Sequence, residues 1–210
     1  KKLIQMYKKM HRSGYKTTQG DFVYPAYERF NLKAFRKIIQ PYLNELTVKT
    51  ILDYGSGGSD WNKVGFDKDT NLSAIKYFNL KSVYKFEPGA NIDQRKKADC
   101  VIVFDVLEHV YINDIKKVLF DIFNYAKKIV IINVACYDSS ALLPNGENAH
   151  VTVRYPVWWK GVLDVISMDY INVKVLLLCS TNINTAESFK IWSGKDWNDS
   201  ESIVTKLDVK

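Results

Sequence analysis

Two hydrophobic rhythms alternate along this chain. Short apolar runs at about 49–54, 82–87 and 99–105 predict strands, and the continuous β-branched run Ile129–Val134 predicts a central parallel strand buried on both faces. Between the runs, apolar residues recur at helical spacing. Leu32, Phe35, Ile38, Ile39 and Leu43 predict a helix from an Asn31 cap to about Glu45, kinked or shortened by Pro41. Ile115, Val118, Leu119, Ile122 and Phe123 predict another, from an Asn113 cap to about Ala126. A short helix is expected around Ser73–Phe78, and Pro156 opens one that runs to about Met168. Val173–Cys179 and Ser188–Trp192, joined by a polar turn, predict an antiparallel C-terminal hairpin at a sheet edge. Residues 1–30 are polar and aromatic, and Gly14, Gly20 and Pro25 prevent one long helix there.

Strands alternating with helices predict an α/β fold, a three-layer sandwich around a mostly parallel sheet. Only about ten residues separate Pro88 from the strand at 99, too few for a helix and another strand, so a third strand is short or missing. Asp99 itself reads as a solvated turn residue. With 210 residues and no linker, the chain reads as a single domain, 1–30 serving as a lid or substrate segment and 31–210 as the core.

Composition narrows the class. An apolar content of 47% suits a globular protein, and no apolar run reaches membrane-spanning length, so no membrane partner is expected. Lys1–Met6 lacks the pattern of a signal peptide, which predicts a cytoplasmic location. Cys100, Cys136 and Cys179 lie inside apolar runs without metal-ligand spacing and read as buried thiols in a reducing compartment; no metal site is expected. The net charge of +7 admits a nucleic-acid partner, but the lysines are dispersed in pairs and arginine, the better phosphate fork, is scarce. Nothing in the pattern fixes an oligomeric state.

Chemistry concentrates at three strand ends. Thr50-Ile51-Leu52-Asp53 breaks into Tyr54-Gly55-Ser56-Gly57-Gly58-Ser59, a turn whose glycines let backbone amides come close to a ligand. The second strand ends in Glu87-Pro88, the third in Asp105-Val106-Leu107-Glu108-His109. Ligands of open α/β sheets bind beyond the carboxyl ends of the strands, where strand order reverses. A glycine turn, then an acid about thirty residues on that can take both ribose hydroxyls, then a third strand-end acid, fits an adenosyl ligand. A dinucleotide would want glycine where Asp60 stands, since a carboxylate there would face the pyrophosphate. S-adenosylmethionine has no phosphate and carries a sulfonium cation, which nearby acids favour.

On these residues the chain resembles the class I, Rossmann-like S-adenosylmethionine-dependent methyltransferases, in particular small stand-alone bacterial and phage enzymes. Met10-His11, Asn148-Ala149-His150-Val151-Thr152 and Trp158-Trp159 extend the resemblance over roughly residues 7–165. It implies Asp53, Gly55, Ser56 and Gly57 around the methionine part, Glu87 and Pro88 at the ribose, and Asp105, Val106 and Leu107 near the methionine or adenine. The departures are Ser59, in place of the usual third glycine, and the missing third strand. The expected reaction is methyl transfer to an oxygen or nitrogen of a small molecule, leaving S-adenosylhomocysteine. His150 and His109 are the candidate bases, because an imidazole titrates near neutrality. His11, Trp61, Thr152, Arg154 and Trp158 are the candidate acceptor contacts. Two alternatives stand beside this one: a nucleic-acid methyltransferase, although Asp105-Val106-Leu107-Glu108 lacks the proline clamp of base-amine enzymes, and a protein that binds or cleaves S-adenosylmethionine without transferring its methyl.

Overall fold

A computed structural model describes residues 2–25, 30–192 and 202–207. In chain order the elements are α1 (Lys2–Ser13), β1 (Tyr15–Lys16), β2 (Phe22–Val23), α2 (Leu32–Glu45), β3 (Thr50–Tyr54), α3 (Ala74–Tyr77), β4 (Ser82–Glu87), β5 (Ile92–Asp93), β6 (Ala98–Phe104), α4 (Ile112–Tyr125), β7 (Ala126–Ala135), α5 (Pro156–Ser167), β8 (Lys174–Asn182), β9 (Thr185–Ile191) and β10 (Ile203–Lys206). Eight strands form one sheet in the order β10-β9-β8-β7-β6-β3-β4-β5, while β1 and β2 pair separately.

Strands β4, β3, β6, β7 and β8 run parallel, and β5, β9 and β10 join antiparallel. The third strand is a two-residue stub, β5, folded back on β4. The hairpin β8–β9 forms as its pattern predicts, and β10 extends it outward.

Period-two alternation divides the core. Val101 and Val103, Val130 and Ile132, and Val175 and Leu177 point to one face, where Leu119 and Phe123 of α4 and Trp159 and Leu163 of α5 cover them. Cys100 and Ile102, Ile129 and Ile131, and Leu176 and Leu178 point to the other, under Phe35, Ile39 and Leu43 of α2. The sheet is thus sandwiched between helices. A third, smaller cluster joins Met10 of α1 to Ala141, Leu143 and Ala149 of the loop after β7, so the N-terminal helix docks on that loop.

Local chemistry corrects three expectations. Asn31 has helical backbone angles and makes no cap; its side-chain amide donates to Asp105 instead. The next long helix begins one residue after Tyr111 rather than at an Asn113 cap. Asp99 is not a solvated turn residue: its Oδ2 accepts the amides of Lys49 (2.9 Å) and Thr50 (3.0 Å), tying the starts of β3 and β6. Pro41 lies inside α2 on its exposed side, and the helix continues to Glu45.

From β3 the chain adds β4 on one side and later β6 on the other. Strand order therefore reverses between β3 and β6, and their C-terminal ends open on one crevice.

Candidate functional site

The glycine turn follows β3. Gly55 sits at φ +80°, and a Cβ there would lie 2.3 Å from Cγ2 of Val106, so glycine is required both by conformation and by the neighbouring turn. The amides of Gly55 and Ser56 donate to the Phe86 carbonyl at 2.7 and 3.1 Å, stitching the turn to β4. Ser56 Oγ is buried and has no hydrogen-bond partner among the described residues.

Asp53 is buried under this turn. Its Oδ2 accepts from Ser59 Oγ (2.7 Å) and Trp61 Nε1 (2.8 Å). Burial raises its carboxyl above the ordinary range, and these two bonds partly offset that. Trp61, read from sequence as an acceptor contact, lies instead in the core against Phe30 and Phe78, with its polar atom spent on Asp53.

Glu87 closes the other side. Its two oxygens accept the amides of Gly57 (2.9 Å) and Gly89 (2.8 Å). A carboxylate offers about four acceptor positions, so roughly two remain. His11 Nε2 stands 3.7 Å from Glu87, and its ring rests on Gly89, where a Cβ would lie 2.5 Å from Cδ2. Tyr7, one helical turn earlier, brings its hydroxyl to His109 Nδ1 and the Ala149 carbonyl, both at 2.9 Å. One face of α1 thus touches both halves of the crevice.

Beyond β6, Asp105 takes φ +53°, an uncommon conformation that asparagine and aspartate tolerate best. Burial raises its carboxyl to about 6, although the Asn31 amide opposes the shift. Val106 packs on Gly55, and a short 3₁₀ turn, Leu107–His109, places Glu108 fully inside. Glu108 Oε1 accepts the Ala135 amide at 2.8 Å, whereas Oε2 is buried without a partner among the described residues. Burial pushes Glu108 well above the carboxylate range, and the charge of Asp105 adds to that.

The loop after β7 returns to this turn. The Thr152 amide donates to the Glu108 carbonyl (3.0 Å) and its hydroxyl to the Val110 carbonyl (2.7 Å), so Thr152 is a buried brace. Asn148 fixes the loop further, accepting the amides of Ser139 and His150. The His109 and His150 rings meet edge to face, with centroids 4.8 Å apart. Burial holds both imidazoles neutral, lowering His109 to about 3 and His150 below its ordinary value. Arg154 is exposed, 5.8 Å from the Trp158 ring, which packs edge-on against Trp159.

The fold therefore gathers Asp53, Gly55, Ser56, Gly57, Glu87, Asp105, Val106, His11, His109 and His150 at one sheet edge, with Trp61 and Thr152 in supporting packing. Sequence reasoning missed Asn31 and Glu108 as parts of this edge and read Tyr7 only as one of several N-terminal aromatics that could cover a ligand or pack in the core. Tyr7 had a readable signal: Leu3, Met6, Tyr7 and Met10 recur at helical spacing. Comparison with protein-family models, curated proteins and solved structures found no match.

Proposed function

We propose that the protein transfers a methyl group from S-adenosylmethionine to an oxygen or nitrogen of a small molecule. The observation that carries this reading is Glu87, anchored by the amides of Gly57 and Gly89 and still able to accept hydrogen bonds, beside a glycine turn at the reversal of strand order. An anchored carboxylate with spare acceptor positions suits a vicinal ribose diol. Ser56 Oγ, a buried hydroxyl without a partner among the described residues, offers one more polar contact within the same turn. These features fit an adenosyl ligand.

Bound S-adenosylmethionine supplies a methyl group already activated by its sulfonium, so the residues of this chain have mainly to hold, align and desolvate. Glu87 and the 55–57 turn hold the adenosyl side. Asp105, close to the same turn through its neighbour Val106, places negative potential beside a sulfonium. Helix α1 sets His11 against Glu87 and Tyr7 against His109, where it would help to desolvate the crevice. An acceptor hydroxyl would lose its proton to the neutral ring of His150 or His109, a contribution of about 10²–10⁴-fold, whereas an amine acceptor needs less help.

A thermal-shift panel tests the reading. S-adenosylmethionine or S-adenosylhomocysteine at about 100 times its dissociation constant adds roughly 2.7 kcal/mol of stability, or about 5–11 °C for a chain of this size. NAD and ATP leave Tm unchanged. Prolonged incubation with S-adenosylmethionine alone leaves it intact; breakdown without an acceptor would indicate a cleaving enzyme instead.

A further inference from the structure

Glu108 carries a buried carboxylate oxygen with no hydrogen-bond partner among the described residues, and two histidines from separate parts of the chain stand beside it. One oxygen of Glu108 and one ring nitrogen each of His109 and His150 all lie within 4.8 Å of one another. From this juxtaposition we propose that Glu108, His109 and His150 form a binding site for a divalent first-row transition-metal ion.

The tautomers support it. His109 Nδ1 lies 2.8 Å from the Ala149 carbonyl, and His150 Nδ1 lies in hydrogen-bond contact, 2.5 Å, with the Tyr137 carbonyl. A carbonyl oxygen only accepts, so each Nδ1 carries the proton and each Nε2 keeps its lone pair. This is the arrangement in which metal-binding histidines are held, one nitrogen fixed on a backbone carbonyl and the other on the ion. The carboxylate is held in the same manner, Oε1 on the Ala135 amide and Oε2 left open.

The supporting shell is rigid. Thr152 ties the loop bearing His150 to the turn bearing Glu108, and the paired contacts of Asn148 with Ser139 brace that loop from behind. Metal bonds of about 2.1 Å at a tetrahedral angle put donors roughly 3.4 Å apart, so donors that lie within 4.8 Å of one another need close by no more than about 1.4 Å, within reach of side-chain rotation. Two neutral imidazoles and one carboxylate leave a divalent ion one positive charge in excess. Asp105, whose charge already acts on Glu108, offsets it. Two nitrogens and one oxygen suit zinc, iron(II) or cobalt(II), whereas magnesium and calcium prefer oxygen alone. The site stands without the methyl-transfer reading; resting on that reading is one consequence, that an ion here would bind an acceptor hydroxyl and lower its proton affinity.

The test is titration of the chelator-treated full chain with Co²⁺, followed by visible ligand-field absorption and by equilibrium dialysis. One equivalent of Co²⁺ should bind, Zn²⁺ should displace it, and millimolar Mg²⁺ should not. Glu108→Gln and His150→Gln should each weaken Co²⁺ at least tenfold, while His11→Ala leaves it unchanged. If Glu108→Gln fails to fold, His150→Gln, on a half-buried loop side chain, decides alone. No absorption bands and no retained cobalt, or an affinity that His150→Gln leaves unaltered, would overturn the site. Thermal shifts with S-adenosylhomocysteine on the same samples keep the two ideas apart. A shift without cobalt binding removes only the metal site, and cobalt binding without a shift supports the site and counts against methyl transfer.

Discussion

Gly55 and Val106 show how one residue pair joins two strand ends. Gly55→Ala would meet both a left-handed backbone and the Val106 methyl group, so it should destabilise the protein by more than the roughly 1–2 kcal/mol that the conformation alone costs. Adding Val106→Ala should recover the clash but not the conformational part, and denaturant unfolding of the single and double variants separates the two. Asp105 governs pH dependence at the same edge. Its folded value, about 6, lies above the ordinary 3.8. The native state therefore holds an extra proton between those values, and the stability this gives is full below about pH 3.8 and lost as pH rises through 6. His109, lowered to about 3, works oppositely: the unfolded state takes the extra proton below 6.5, so stability falls as pH falls toward 3. In chelator-treated protein the two effects oppose each other between pH 4 and 6. Asp105→Asn should remove the first and make stability fall more steeply on acidification, by up to ~1.4 kcal/mol per pH unit. An unchanged slope would count against a raised Asp105.

At the scale of elements, α1 places side chains against both halves of the crevice, His11 at Glu87 and Tyr7 at His109. Its only fully buried side chain is Met10, wedged against Ala141, Leu143 and Ala149. Met10→Ala should cost about 2–5 kcal/mol of packing at that contact. Hydrogen exchange should show it as faster opening of residues 2–13, with β3, β6 and β7 retaining their protection; equal loss throughout would mean that α1 is integral to the core. The long helices and central strands were legible in the sequence because burial imposed a clean period: Leu119 and Phe123 face one layer, Ile39 and Leu43 the other. Elements α1, β5 and β10 were not. Helix α1 sets its docking residues Leu3, Met6, Tyr7 and Met10 among the polar Lys2, Gln5, Lys8, Lys9 and Arg12 in a segment rich in turn residues further on, β5 is two residues long, and β10 is an exposed edge whose partner, β9, decides its existence. The helix starts were misread for a related reason. Asn31 has a stronger use for its amide at Asp105, and Tyr111 starts its helix without any side-chain bond.

For the whole molecule, strand order makes a site of scattered residues. Strand order reverses between β3 and β6, and that brings Gly55, Glu87 and Asp105, spread over fifty residues of the chain, to one crevice. The half of the site proposed for an adenosyl ligand was legible because its residues lie at strand ends and local sequence reports strand ends. His109 and His150 were singled out as well, but their meeting with Glu108 was not legible, because His150 reaches that turn through a long loop whose path depends on Asn148 and Thr152. Among the described residues no helix is long and apolar enough to cross a membrane. The central claim is an adenosyl site built on Glu87. Calorimetric titration of S-adenosylhomocysteine into the wild-type chain and Glu87→Ala tests it most directly. Binding of one equivalent that weakens at least tenfold in Glu87→Ala is the predicted result, and binding of NAD with no response to S-adenosylhomocysteine would contradict it.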